Sequence, residues 1–489
     1  MAHTLAEIDA RIAQGPFHPQ WDELATNTVP AWWADAKFGI FTHWGVFTVP
    51  QFENEWYSRN MYVQGSNAFK HHVATYGPQN KFGYKDFIPL FTAEKFDPDN
   101  WLDLIQASGA QYYMPVAEHH DGFQLYKSAL SHYNAFEMGP HRDVIGELRK
   151  ATLARGLHFT LSNHRAEHWF FMSHGKDFDS DIKEPLKKGD FYWPAQPEPK
   201  DHFDAKSEPY PTQEYLEDWL LRNCELVDNY QPEMVYFDWW IQHEAFKPYL
   251  LKFAAYYYDR AAEWGKQVSI CYKNQAMAWG SGIKEMERGG FNSAQPFHWQ
   301  TDTAIARNSW DYTTTLKYKD APEILDTLID TVSNNGNLLL NFGPKADGSI
   351  ADTDRRILTA IGDWLKDNGE GIDGSHPWEL SAEGPTQAAG GTFSDATAPA
   401  YTPADFRFTS KKGAIYAYQL APGDTADATL TTFKTMPAGH EDEGYNGIIS
   451  RVEQLGVGVV PYVLDETGLH ISGQEVTKGM PRGFKIVPE

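Results

Sequence analysis

From about residue 30 to about residue 370, short apolar runs alternate with helical patterns, and this alternation restricts the chain to a parallel α/β architecture. Strand-like runs are Phe38–Phe41, Tyr112–Val116, Leu157–Leu161, Met234–Phe237, Val268–Cys271 and Leu338–Phe342. Helix-like segments lie between and after them: Pro98–Ser108, Arg142–Ala154, Glu214–Asn229, Phe246–Trp264, Ala321–Ser333 and Asp352–Asp367. Asp97-Pro98 and Asp320-Ala321-Pro322 read as helix starts, Asn335-Gly336 and Asn368-Gly369 as stops. The strand number predicts a TIM-type, (β/α)8-like barrel, with one or two strands giving no visible signal. After about residue 372 the texture changes. Gly384–Ala404 is rich in Gly, Thr, Ala and Pro, and brief alternating runs follow: Gly413–Tyr418, Ala428–Thr432, Gly447–Arg451, Val457–Leu464 and Leu469–Ile471. These suit an antiparallel β-sandwich. The expected domains are 1–371, a barrel with an N-terminal arm, and 372–489, a sandwich. Lys176–Pro211, rich in charge, Pro and aromatics, is long enough to be an insertion over one barrel face.

Charge narrows the function. The 42 Lys and Arg against 66 Asp and Glu give a net charge of -24. No basic surplus exists to displace counterions, which opposes binding to nucleic acid or to an anionic membrane. No apolar run reaches membrane-spanning length. The start, Met1-Ala2-His3-Thr4-Leu5-Ala6-Glu7, lacks the basic and apolar parts of a secretory signal, so the expectation is a cytoplasmic protein. Cys224 and Cys271 form no metal or redox motif and read as small buried residues. Aromatics make up 15% of the chain, with 17 Trp. That excess suits a carbohydrate site, where flat rings pack on the C–H faces of sugars.

In a parallel barrel, chemistry gathers at the C-terminal ends of the strands. The first visible strand runs into His43-Trp44 and the second into Glu118-His119-His120-Asp121. The third runs into Asn163-His164-Arg165, with Glu167-His168 behind. The fourth ends at Asp238, with Trp239-Trp240 next, and the fifth reaches Tyr272-Lys273-Asn274. One such residue would be a turn or helix cap. Their repetition over successive strands points to one shared site. Asp238, held at the mouth of a buried strand beside aromatic surface, suits a nucleophile for a sugar. The histidines admit a second reading. His119 and His120 with His43, or His164 with His168, could hold zinc in a metal-assisted hydrolase, although the spacing matches no H-E-x-x-H motif.

At this point the segment Trp33–Gly45 resembles the opening signature of family 29 glycoside hydrolases, the retaining α-L-fucosidases. The similarity continues through Val49-Pro50, Glu55-Trp56-Tyr57, His119–Phe123, Gly139–Asp143, the surroundings of Asp238, Asn308–Tyr312 and Gly336–Pro344. The resemblance implies hydrolysis of terminal α-linked L-fucose from oligosaccharides or glycoconjugates, by double displacement, with no metal and no cofactor. Asp238 would be the nucleophile. The acid/base candidates are Glu285 and Glu287, and the Glu-Arg-Gly run ahead of Trp299–Asp302 favours Glu287. Gln300 stands where some relatives carry Glu, and an amide cannot donate the proton. His43, His119 and His120 would bond fucose hydroxyls, with Glu55 and Trp56 beside them. Three positions depart from the usual pattern: Tyr236 replaces a Trp, His164 stands at a variant position as a replacement contact, and Lys273 sits near where others use Arg. A lectin-like relative that binds fucose without cleaving it is the alternative from another class. Linkage preference and assembly into an oligomer are left open.

Overall fold

The computed structural model describes residues 4–388, 390–397, 400–435, 445, 447–474 and 479–489. Eight parallel strands close into a barrel. They are β1 (Phe38–Thr42), β2 (Tyr112–Glu118), β3 (His158–Phe159 and Leu161–Asn163), β4 (Met234–Phe237), β5 (Ser269–Tyr272), β6 (Ile283–Glu287), β7 (Trp299–Ala304) and β8 (Gly336–Phe342). β1 pairs with both β8 and β2, which completes the ring. β3 is broken at Thr160, whose amide and hydroxyl both bond the Tyr113 carbonyl.

The two strands without a sequence signal are β6 and β7. The inward side of β6 carries Ile283, Glu285 and Glu287, all buried, so no apolar alternation marks it. Among the described residues no helix separates β5 from β6, or β6 from β7, and the αβ rhythm therefore disappears there. Elsewhere it holds. Helices span Pro98–Ala107, Val144–Ala154, Gln213–Tyr230, Lys247–Trp264, Ala321–Ser333 and Asp352–Asn368. Asp97 and Asp320 cap their helices as expected, each accepting backbone N–H bonds from the first turn. The stops differ in detail. Asn335, at φ 70, takes the left-handed turn, while Gly336 opens β8 against the Trp299 ring, where a Cβ would meet ring atoms at 2.6 Å. Gly369 stays right-handed and begins a 3-10 turn.

Three apolar clusters organise the interior. One fills the barrel, with Phe41, Met114, Tyr236, Cys271 and Leu339. The largest lies between strands and helices, and runs on without a break into Tyr416, Tyr418, Leu420 and Leu455 of the C-terminal part. The third sits between two C-terminal antiparallel sheets. The six-stranded sheet has the order β9 (His376–Glu383), β10 (Phe406–Lys411), β11 (Ala414–Gln419), β17 (Arg482–Pro488), β13 (Ile449–Gln454), β14 (Gly458–Val460). The three-stranded sheet is β12 (Ala428–Leu430), β16 (Leu469–Ile471), β15 (Tyr462–Leu464). Both cysteines are free and buried. No described helix is long and apolar enough to cross a membrane.

Candidate active site

Every barrel strand from β1 to β7 sends a side chain into one cavity of about 430 Å³. His43, Glu55, Trp56, His119, His120, His164, Tyr236, Asp238, Lys273 and Glu287, all singled out from sequence, line it together. Alternation within the strand-end motifs sorts the rest. Glu118 turns outward, where Arg165 and Arg222 reach it at 2.7 and 3.1 Å. Asp121 accepts from Tyr84 and the Phe123 amide, away from the cavity. Trp239 faces the cavity, whereas Trp240 is fully buried beside Trp169 and Phe170. Gln300 points into the barrel interior and accepts from the Tyr112 hydroxyl.

Asp238 is held from both sides. Lys273 Nζ donates to Oδ1 at 2.9 Å, and His164 Nδ1 donates to Oδ2 at 3.0 Å. His120 Nε2 lies 3.4 Å from Oδ2. Burial works to raise the Asp238 pKa, yet Lys273, His164 and His120 outweigh it and hold this carboxyl well below the usual range. It is ionised at neutral pH. Glu287 is its opposite. Burial, opposed by Lys273 and reinforced by the charges of Asp302 and Asp238, pushes it up to about 7. Its Oε2 accepts from Lys273 Nζ at 2.7 Å and from the Trp239 indole N–H at 2.8 Å. Paired carboxyls driven apart in this way divide into an ionised group and a proton carrier.

The imidazoles also divide. The His43 amide and Nδ1 both donate to Asn341 Oδ1, which leaves His43 Nε2 as an acceptor. Burial keeps His43 and His119 neutral, and the buried His119 Nδ1 has no hydrogen-bond partner among the described residues. His120 differs. Burial opposes its charge, but Glu167 and Asp238 raise it to about 9, so it is an imidazolium. Both nitrogens of His164 are engaged, Nδ1 with Asp238 and Nε2 with Ser162. His164 therefore aims the carboxylate and presents its ring, with no free nitrogen, to a ligand. Tyr236 likewise spends its hydroxyl on Asp302 at 2.7 Å and offers its ring.

Glu55 is buried and accepts from the Trp310 amide at 3.0 Å. Burial raises it above the ordinary carboxylate range. Trp310 closes that wall, tilted over His43 and covered by the Arg288 guanidinium at 4.4 Å. Four lining residues gave little or no individual sequence signal: Trp310, His202, Phe203 and Phe393. Trp310 fell inside a motif without a stated role, and the other three come from irregular segments. The zinc constellation is only partly assembled. Ligand atoms of His43, His119 and His164 lie within 4.8 Å of one another. A metal would have to take His164 from Asp238 or from Ser162. His168 points elsewhere, with Nδ1 2.9 Å from the His120 carbonyl.

The family model described as alpha-L-fucosidase matches residues 4–370. The chain is 32% identical over 432 residues to the tissue alpha-L-fucosidase of Homo sapiens, covering 84% of this chain and 80% of that protein. It is 31% identical over 444 residues to an alpha-L-fucosidase of Branchiostoma floridae, covering 87% and 86%. The crystal structure of a Thermotoga maritima alpha-fucosidase superposes with a TM-score of 0.74 at 27% identity, covering 96% of this chain and all 100% of that one.

Proposed function

Because this chain belongs to the alpha-L-fucosidase family, we infer that it hydrolyses terminal α-linked L-fucose from oligosaccharides or glycoconjugates, with Asp238 as nucleophile and Glu287 as acid/base. One observation carries the stereochemistry. Lys273 Nζ touches Asp238 and Glu287 at once, so the two bonded oxygens lie no more than about 5.6 Å apart. That fits a retaining pair, at roughly 5–5.5 Å, and leaves too little room for the water of an inverting pair at roughly 6.5–9.5 Å.

The steps follow from the charges. Asp238 attacks the anomeric carbon of fucose while the protonated Glu287 gives its proton to the glycosidic oxygen. The C1–O bond breaks, the aglycone leaves as an alcohol, and fucose remains as an ester of Asp238. Glu287, now a carboxylate, takes a proton from water, whose oxygen displaces Asp238 from C1. The second step is helped by the first: esterification removes the Asp238 charge that had raised Glu287, and Lys273 remains to stabilise the carboxylate. His43 Nε2 and the neutral His119 ring, which lines the cavity, are suited to the sugar hydroxyls, Trp56 and Tyr236 to the ring face, and Glu55 to a hydroxyl donor.

Asp238→Ala should abolish turnover, and azide should restore it in part by forming the β-fucosyl azide. NMR of the wild-type reaction should show α-L-fucose as the first product. Full activity of Asp238→Ala without an added nucleophile, or β-L-fucose released first, would overturn the assignment.

A further inference from the structure

Outside the residues assigned above, the cavity continues past Glu287 to an aromatic rim. Phe203 and Phe393 line it while remaining 73% and 47% exposed. Both pack on Trp239. The Phe203 ring meets it edge-on, with centroids 5.2 Å apart and planes at 82°. The Phe393 ring lies nearly parallel, at 6.2 Å and 10°. The rim is built from three distant stretches of chain: the insertion, the loop after β4 and the C-terminal part.

Phe393 is held in place. Its amide donates to the carbonyl of Glu287 at 2.8 Å, and the Asp395 amide donates to the carbonyl of Arg288 at 2.9 Å. Gly290 and Gly391 form an antiparallel bridge beside them. Asp395 then anchors the segment through Lys319 Nζ at 2.8 Å and the Thr303 hydroxyl at 2.9 Å. Phe393 adopts φ 59, a conformation that a bulky residue takes only when its surroundings impose it. A C-terminal segment is thus hydrogen-bonded to the stretch that carries the acid/base.

We propose that Phe203, Trp239 and Phe393 form the leaving-group subsite, an aromatic floor that takes the C–H face of a pyranose aglycone. The proposal rests on the fucosidase reading and extends it to the other side of the scissile bond. The argument is positional. Glu287 must reach the glycosidic oxygen, and Trp239 bonds that same carboxyl, so the sugar attached to the oxygen leaves across Trp239 and its two phenyl neighbours. Trp239 also positions the acid/base, and an aglycone resting on it therefore lies within reach of the proton it needs.

The test compares substrates that differ only in the leaving group: α-L-fucosyl fluoride, whose leaving group has no ring, and an α-L-fucosyl-N-acetylglucosamine disaccharide. Phe393→Ala and Phe203→Ala are each expected to lower kcat/KM for the disaccharide about three- to tenfold more than for the fluoride, the range of a single aromatic contact. Phe393→Trp should recover most of the loss. Phe203 projects into solvent, so its variant tests the subsite even if Phe393→Ala perturbs the C-terminal segment; thermal melts of both variants record that. Equal losses on fluoride and disaccharide, or no loss on the disaccharide, would overturn the proposal. A wild-type protein inert toward the fluoride would instead overturn the fucosidase reading beneath it.

Discussion

At the scale of single residues, the candidate site turns on how four buried carboxyls share one ammonium. Lys273 Nζ lies 2.9 Å from Asp238, 2.7 Å from Glu287, 3.8 Å from Glu285 and 3.9 Å from Asp302. Burial works against its charge, but these carboxyls keep it protonated. Glu285 is pushed well above the ordinary range by burial and by Asp302, so it is a neutral acid at working pH. A general acid is active only while it holds its proton. The rate on natural glycosides should therefore fall as pH rises through about 7, the value set for Glu287. Asp302→Asn removes a negative charge that raises Glu287, so the alkaline fall should move to lower pH, while Glu285→Gln, which replaces a neutral acid by a neutral amide, should leave it in place. A pH profile of kcat/KM for the two variants decides this; identical profiles for wild type and Asp302→Asn would contradict the charge assignment. Glu287→Gln should lose roughly 10²–10⁴-fold on glycosides and far less on fucosyl fluoride, whose leaving group needs no proton.

At the scale of elements, legibility followed chemistry. β4 and its Asp238 could be read at once, because Val235-Tyr236-Phe237 is an apolar run that ends in a carboxylate. Glu287 could be chosen only through family resemblance. Its strand alternates Lys, Glu, Met and Glu, a pattern that reads as an exposed charged loop until the barrel is closed around it. The roles of His164 and Tyr236 could not be read either, since nothing local says that their polar atoms are already committed to Asp238, Ser162 and Asp302. The insertion shows the same limit. Its length predicted a cover over the barrel, but not the clamp that fixes it. Glu198 accepts from Arg59, His174 and His202, with Oε1 2.7 Å from Arg59 Nη2 and 2.8 Å from His202 Nε2, and Oε2 2.7 Å from His174 Nε2. Burial works to raise Glu198, but His174, His202 and Arg59 hold it well below its ordinary value, and Glu198 in turn raises His174. The carboxylate contributes stability above an unfolded pKa of about 4.3 and loses it as pH falls; the histidine contributes below about 6.5 and loses it as pH rises through its higher folded value. The clamp should be firmest between those limits. Limited proteolysis within residues 176–211 should be slowest there, and Glu198→Ala should speed cleavage and flatten the pH dependence. Cleavage rates unchanged by the substitution would remove Glu198 from this role.

At the scale of the whole molecule, barrel and sandwich share a core. The Trp364 indole donates to the Pro481 carbonyl at 2.7 Å, Tyr418 donates to the Asn368 carbonyl at 2.8 Å, and the Gly483 amide donates to Asn368 Oδ1 at 3.1 Å. Arg407, 2% exposed, pairs with Asp330 of the last barrel crossover. Arg407→Ala would leave that carboxylate buried without its partner, a loss of about 3–5 kcal/mol. Calorimetry should show one unfolding transition for the whole chain, shifted down in the variant; two resolved transitions would mean that the halves are stable separately. The bond between Phe393 and the carbonyl of Glu287 carries a consequence for evolution and for engineering alike. A chimaera that took residues 372–489 from a distant relative would exchange only the Phe393 side of the leaving-group floor, while Phe203, Trp239 and the bond-making centre stayed as they were, provided the grafted segment still docked beside residue 287.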